Sequence, residues 1–226
     1  MNHSTIAVIG GTGKAGTYLV RQLLHQGYSL KLLLRNPAAF KHPFASSNPY
    51  LTAGSADTRI QLLQGDARDY ASIAALVTGS QALISTLGQP KGEPPIFSAA
   101  ATHIVRAMEQ LGLPRYIAVT GLSIDLPADK KGPASRQASD YMRQLFPSII
   151  ADKQKEYELL SRSPGNWTLA RVPLIVQTEE RTSLTVSLED CPGKKISATD
   201  LACWLIDQLP GGPWLRQAPF VANAEE

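Results

Sequence analysis

Thr5-Ile6-Ala7-Val8-Ile9-Gly10-Gly11-Thr12-Gly13-Lys14-Ala15-Gly16 is the stretch that decides the fold. Its first five residues are apolar or β-branched and read as a strand buried on both faces. A glycine-dense turn follows. Then comes Thr17 to Gln26, where Leu19, Val20, Leu23 and Leu24 share one helical face and Gly27 marks the stop. Strand, glycine turn, helix is the context that makes a glycine pattern a dinucleotide-binding signal. The spacing fits both Gly11-Gly13-Gly16 and Gly10-Gly13-Gly16. A side chain at Gly11 or Gly13 holds a pyrophosphate off the backbone, and Gly16 lets the helix close on the strand. Thr12, Lys14 and Ala15 complete the turn whose free N–H groups face the anion. The competing reading is the tight turn of an ordinary strand–helix unit.

The next strand, Leu30 to Leu34, ends at Arg35-Asn36-Pro37. NAD-selective sites carry an acidic residue near this place for the ribose 2′-OH. An arginine there suits a 2′-phosphate through charge-assisted, often bidentate hydrogen bonds, and Lys14 adds a nearby charge. NADP (NADPH) is therefore favoured and NAD less so, against the alternative of a solvated strand-end arginine.

Outward from this unit, strand and helix patterns alternate, which predicts an α/β fold with a doubly wound parallel sheet (Rossmann). Strands are expected at 60–64, 82–86, 115–120 and 167–172. Helices are expected at 70–77, 97–111, 150–161 and from Ser197-Ala198-Thr199-Asp200 to Leu209, the last opened by a capping-box pattern. Residues 1–226 read as one domain with a small C-terminal extension on the substrate side. The segment 178–192, with a possible strand at 184–188, covers the pocket or extends the sheet. Three connections are long: 36–58, 88–95 and 121–147. The last two follow strands four and five, so they are expected to border a small-molecule pocket beyond the carboxyl ends of the strands. Solvated surface excursions are the alternative.

The opening segment, the stretch QLLQGDARDYASIAALVTGSQALISTLG, RYIAVTG and NWTLARVPLI together resemble the atypical short-chain dehydrogenase/reductases. Within them the chain is most similar to the NmrA-like and the biliverdin-reductase-B or flavin-reductase-like NAD(P)-binding proteins. The resemblance runs to about Val176. It implies that Asp66 and Ala67 lie against adenine, although Asp66 is equally suited to N-cap the next helix. It implies that Thr86, Leu87 and Gly88 follow the ribose and pyrophosphate. It also implies that Pro173 lies near the nicotinamide, with Arg171 one place earlier than the family's Arg-Pro pattern.

The 226 residues are 43% hydrophobic and carry a net charge of +3, without a basic run. That suffices for one sizeable core and gives no signal for nucleic acid. Cys191 and Cys203 lack CxxC spacing, and the histidines at 3, 25, 42 and 103 lack metal spacing. His103 reads as structural and His42 as a remote candidate for the adenosine end. No apolar run is long enough for a membrane span and no basic leader precedes the first strand, so a cytoplasmic protein is expected. Trp204 and Trp214 read as packing residues. Neither oligomeric state nor substrate identity is legible.

Ordinary short-chain dehydrogenases pair Tyr and Lys as YxxxK, the tyrosine acting as acid and the lysine lowering its pKa. Lys153 matches the lysine, but Ile149 stands four residues before it, and Ile cannot transfer a proton. Lys153 is also at home as a solvated helix residue. Three readings of the chemistry remain. Tyr141 swings in as donor; Ser123 or Thr120, with Gly121 between them, polarises a carbonyl while water supplies the proton; or there is no protein acid, as suits flavin- or quinone-like acceptors. The leading expectation is an NADPH-dependent reductase of a flavin-like, quinone-like or small carbonyl acceptor. The alternatives are a non-enzymatic NADP-binding regulator and a nucleotide-dependent isomerase or epimerase.

Overall fold

The structure is a computed structural model that describes residues 4–42 and 57–224. In chain order it runs β1 (Thr5–Ile9), α1 (Gly16–His25), β2 (Ser29–Leu34), β3 (Ile60–Gln64), α2 (Tyr70–Val77), β4 (Ala82–Ser85) and α3 (Phe97–Leu111). It continues with β5 (Tyr116–Gly121), α4 (Pro133–Leu145), α5 (Pro147–Arg162), β6 (Trp167–Val172), β7 (Leu174–Val176), β8 (Leu184–Ser187), β9 (Lys195–Ser197), α6 (Ala198–Asp207) and β10 (Phe220–Asn223).

The main sheet has the order β3-β2-β1-β4-β5-β6-β10-β8. Every neighbouring pair is parallel except β10 with β8. β1 is the pivot: Val8 lies opposite Leu32 of β2 on one side and Ile84 of β4 on the other. The chain runs outward in both directions from this point, which opens a crevice at the carboxyl ends of β1 and β4. Apolar residues of β1 are buried on both faces, as its composition requires. Ile6 and Val8 join one core layer with α1 and α6. Ala7 and Ile9 join the other with α2, α3 and α5.

The predicted strands and most helices stand where the periodicity places them. The third long connection differs. Residues 133–145 form α4, opened by Gly132-Pro133, a residue order that suits the first helical turn. Its buried positions are Ser135 and Ser139, so no apolar stripe announced it. The segment 178–192 does both things expected of it: β8 extends the sheet against β10, and Cys191 and Pro192 line the cleft. Residues 43–56 of the first long connection, and His3, lie outside the described residues. Trp204 is buried in the core and Trp214 packs against it.

The capping box at α6 is half formed. Ser197 Oγ accepts from the Asp200 N–H at 2.9 Å. The reciprocal bond is absent because Asn223 Oδ1 takes the Ser197 N–H at 2.6 Å. Asp200 instead accepts from Asn223 Nδ2 and the Thr182 N–H.

Candidate cofactor and substrate cleft

A cleft of about 1190 Å³ lies across the carboxyl ends of β1, β2, β4 and β5. Its floor is the glycine turn. Gly10 has φ +78°, and a Cβ there would come within 2.5 Å of the Thr86 carbonyl oxygen at the end of β4. The Gly13 N–H donates to the Gly10 carbonyl at 2.9 Å. A Cβ on Gly16 would overlap that same carbonyl, so only glycine lets α1 start here. These contacts select the Gly10-Gly13-Gly16 spacing of the two the sequence allowed. Gly11 does not face the cleft: a Cβ on it would point at Val20, Val8 and Leu32 in the core. Its glycine serves packing, and of the two only Gly13 lines the cleft. Thr12, Gly13, Lys14 and Ala15 line the floor, and the N-terminus of α1 has no side-chain cap to consume its N–H groups.

At one end of the cleft stand Arg35, Asp66, Ala67 and Arg68. Asp66 does not cap α2. That cap is Asp69, whose carboxylate accepts from the N–H groups of Ser72 at 2.8 Å and Ala71 at 3.4 Å. Asp66 holds Arg68 through both oxygens, accepting from Nε at 2.9 Å and NH2 at 2.6 Å. Arg68 thereby keeps the Asp66 carboxyl below the usual carboxylate range. The sequence reading overlooked Arg68, although an arginine two residues after a strand-end aspartate was a visible signal. His103 braces this corner, its Nε2 lying 3.0 Å from the Arg68 carbonyl oxygen. His42 does not line the cleft and faces Asp57 at 3.3 Å.

Thr86, Leu87 and Gly88 form the middle wall. Thr86 Oγ1 donates to the Gly10 carbonyl at 3.2 Å, tying wall to floor. Gly88 has nothing within 4 Å of where a Cβ would sit. Gln89 Nε2 donates to the carbonyls of Pro90, Glu93 and Pro94, bracing the following loop.

The far end is enclosed by Leu122 and Ser123, by α4 and by two strands of polypeptide, Val172–Ile175 and Cys191–Lys194. Both loops expected to border the pocket do so. Ala134, Ser135, Ala138, Tyr141 and Met142 present one face of α4 to it. Tyr141 is 61% exposed, at the rim; Ser123 and Thr120 are buried. Pro173 is part of the wall, but Arg171 is not. Arg171 is fully buried, its NH1 2.7 Å from both Asp129 oxygens and its guanidinium 3.5 Å over the Phe220 ring. It pins the loop after β5 to the sheet.

Lys153 reaches the cleft from α5. Its Nζ is 3.5 Å from Thr120 Oγ1 and 4.2 Å over the Phe97 ring. Burial pushes its pKa down, opposed by Glu156 and Asp152. Glu156, one helical turn on, is buried with Oε2 unpartnered, and burial pushes its carboxyl up to about 7. Asp152 caps α3 from a distance, accepting from the N–H groups of Phe97 at 2.8 Å and Ser98 at 3.1 Å and from the Ser98 hydroxyl. Ile149 does not line the cleft, so nothing replaces the missing tyrosine at its own position. Among the described residues no group of His, Cys, Asp and Glu could hold a metal, and no helix is long and apolar enough to cross a membrane.

Comparison with known proteins agrees with this architecture. A short-chain dehydrogenase/reductase from Veillonella parvula DSM 2008, solved in complex with NADP, has a TM-score of 0.76 at 16% identity, covering 98% of this chain and 95% of that one. The anaerobilin reductase ChuY from Escherichia coli O157:H7 gives 0.74 at 18% identity, over 99% of this chain and 98% of that one. At such identities the likeness is one of fold. The isoflavone reductase homolog IRL of Zea mays is 34% identical over 85 residues, 38% of this chain and 26% of that protein. Cinnamoyl-CoA reductase 1 of Oryza sativa subsp. japonica is 25% identical over 115 residues, 50% of this chain and 32% of that protein. The chain thus spans about a quarter to a third of these two curated relatives. The profile of the NAD(P)H-binding family matches residues 10–210, most of the chain, and the protein belongs to that family.

Proposed function

We propose that this protein is an NADPH-dependent reductase that delivers hydride to a flavin-like, quinone-like or small carbonyl acceptor. One observation carries the reading: a continuous cleft joins a pair of arginines, across an anion-facing glycine turn, to a largely apolar vestibule. The residues fit the cofactor. Lys14 and Ala15 offer backbone N–H groups to a pyrophosphate, and the empty space at Gly88 admits a ribose against the backbone. Arg35 and Arg68 offer planar forks to a 2′-phosphate, with Asp66 and Ala67 beside the adenine. Thr120, Gly121, Lys153 and Pro173 flank the nicotinamide half. The bound nucleotide supplies the hydride.

The chain's own residues position and shield. Lys153, half-buried beside Thr120, is placed to bind a ribose hydroxyl. The α4 face and the Val172–Ile175 segment flank the acceptor. Among the described residues no side chain stands where the YxxxK tyrosine would, and a proton drawn from solvent suits an electron-poor flavin- or quinone-like ring. The free thiols of Cys191 and Cys203 suit a reducing, cytoplasmic setting. The reductase names of the relatives support the class of reaction.

The test is loss of reduced-nicotinamide absorbance with FMN, a simple quinone, a small aldehyde or no acceptor, after NADPH binding has been confirmed by titration. Acceptor-dependent oxidation is expected with FMN or the quinone. The absence of a tyrosine at position 149 favours one other reading, an NADP-binding regulator. Tight binding without turnover on every acceptor would favour that reading and direct the search to a protein partner.

A further inference from the structure

The two arginines at the adenosine end are already engaged. Glu93 reaches in from the loop after β4 and bridges them: Oε1 is 2.5 Å from Arg35 NH1, and Oε2 is 2.8 Å from Arg68 NH1. The loop presents it firmly. A turn closed by the Glu93 N–H on the Pro90 carbonyl at 3.4 Å uses Gly92 at φ +77°, and the Gln89 amide braces the carbonyls on either side. Arg35 holds the Glu93 carboxyl below its usual range, with Arg68 assisting.

We propose that Glu93 is a built-in competitor for the 2′-phosphate seat and sets how strongly the chain prefers the phosphorylated cofactor. The inference rests on the assignment of that seat to Arg35 and Arg68. A carboxylate with one oxygen on each guanidinium makes the contacts that a phosphate makes there. A 2′-phosphate carries more charge and a third oxygen, so it displaces Glu93, but it must break two ion pairs and leave a carboxylate beside it. Without the phosphate, no displacement is required. The carboxylate therefore lowers NADPH affinity and leaves NADH affinity untouched, which narrows the preference. Because the three side chains are 32 to 57% exposed, solvent screening keeps the effect modest.

The experiment measures dissociation constants for NADPH, NADH, adenosine 2′,5′-bisphosphate and AMP on wild type, Glu93→Gln, Arg35→Ala and the double variant. Melting curves check that each is folded. Glu93→Gln should tighten NADPH and the bisphosphate by about three- to tenfold, with NADH and AMP unchanged. Arg35→Ala should weaken NADPH against NADH and shrink the gain from Glu93→Gln. An unchanged or lowered NADPH preference in Glu93→Gln overturns the inference, while the phosphate seat survives if Arg35→Ala still discriminates. If Arg35→Ala weakens both dinucleotides equally, the seat itself is wrong and the inference falls with it.

Discussion

The floor and the roof of the cleft are held by different forces. The floor is backbone against backbone: β1 between β2 and β4, the Gly10 carbonyl against Gly13 and Gly16, the Thr86 N–H on the Ile9 carbonyl. The roof hangs on side chains. Arg171 holds Asp129, Lys131 Nζ donates to the Ile124 carbonyl at 2.7 Å and to Asp125 at 2.8 Å, and the Asp190 carboxylate accepts from the Gly132 N–H at 2.9 Å. A floor of this kind admits no extra carbon where its layers touch. A roof of this kind depends on individual side-chain pairs.

The comparison breaks most visibly at Arg171. Asp129→Ala leaves a buried guanidinium without its partner and should cost about 3–5 kcal/mol of stability, read by denaturant unfolding. A cost within ordinary surface range would mean that the roof does not depend on this pair. Gly16→Ala attacks the floor. It should destabilise by the ~1–3 kcal/mol of overpacking and remove nucleotide binding, measured by titration; retained NADPH affinity would contradict a floor closed by backbone contact.

A smaller effect belongs to Glu156, beneath the boundary between the two regions. Burial raises its folded-state pKa from 4.5 to about 7. Its contribution is therefore full below pH 4.5 and is lost as pH rises through about 7, part of it offset by Lys153. Melting temperatures of wild type and Glu156→Gln across that range should converge at the acid end, with the wild type falling relative to the variant as pH rises. Parallel curves would place Glu156 in a wetter setting than the geometry indicates. The least effect is expected at the rim: Tyr141→Phe should lower kcat less than about threefold, whereas a general acid is worth about 10²–10⁴. A loss in that larger range would make Tyr141 the proton donor.

The floor was largely legible because its causes are local. A β-branched run, glycines at fixed offsets and an amphipathic helix lie within one short stretch. The roof was not, because its causes are distant or lack an apolar signature. α4 buries serines, so hydrophobic periodicity passes over it, and only Gly132-Pro133 hinted at a helix start. Arg171 looked like part of a cofactor segment by resemblance, yet Asp129, forty-two positions away, claims it. Asp66 and Asp69 both stand before α2, and only the geometry assigns the cap to the second. Glu93 shows no motif at all; its meaning depends on two arginines delivered by other strands.

The strand Phe220–Asn223 has a consequence in time as well as in space. It lies inside the sheet, between β6 and β8, and β8 has no other partner in that sheet. Phe220 lies under the Arg171 guanidinium, and Asn223 links Ser197 to Asp200 at the start of α6. During synthesis the nucleotide-binding strands can pair as they emerge, but β6 keeps an open edge until the residues near 220 leave the ribosome. That makes the half-made roof the stage most open to mispairing with another chain.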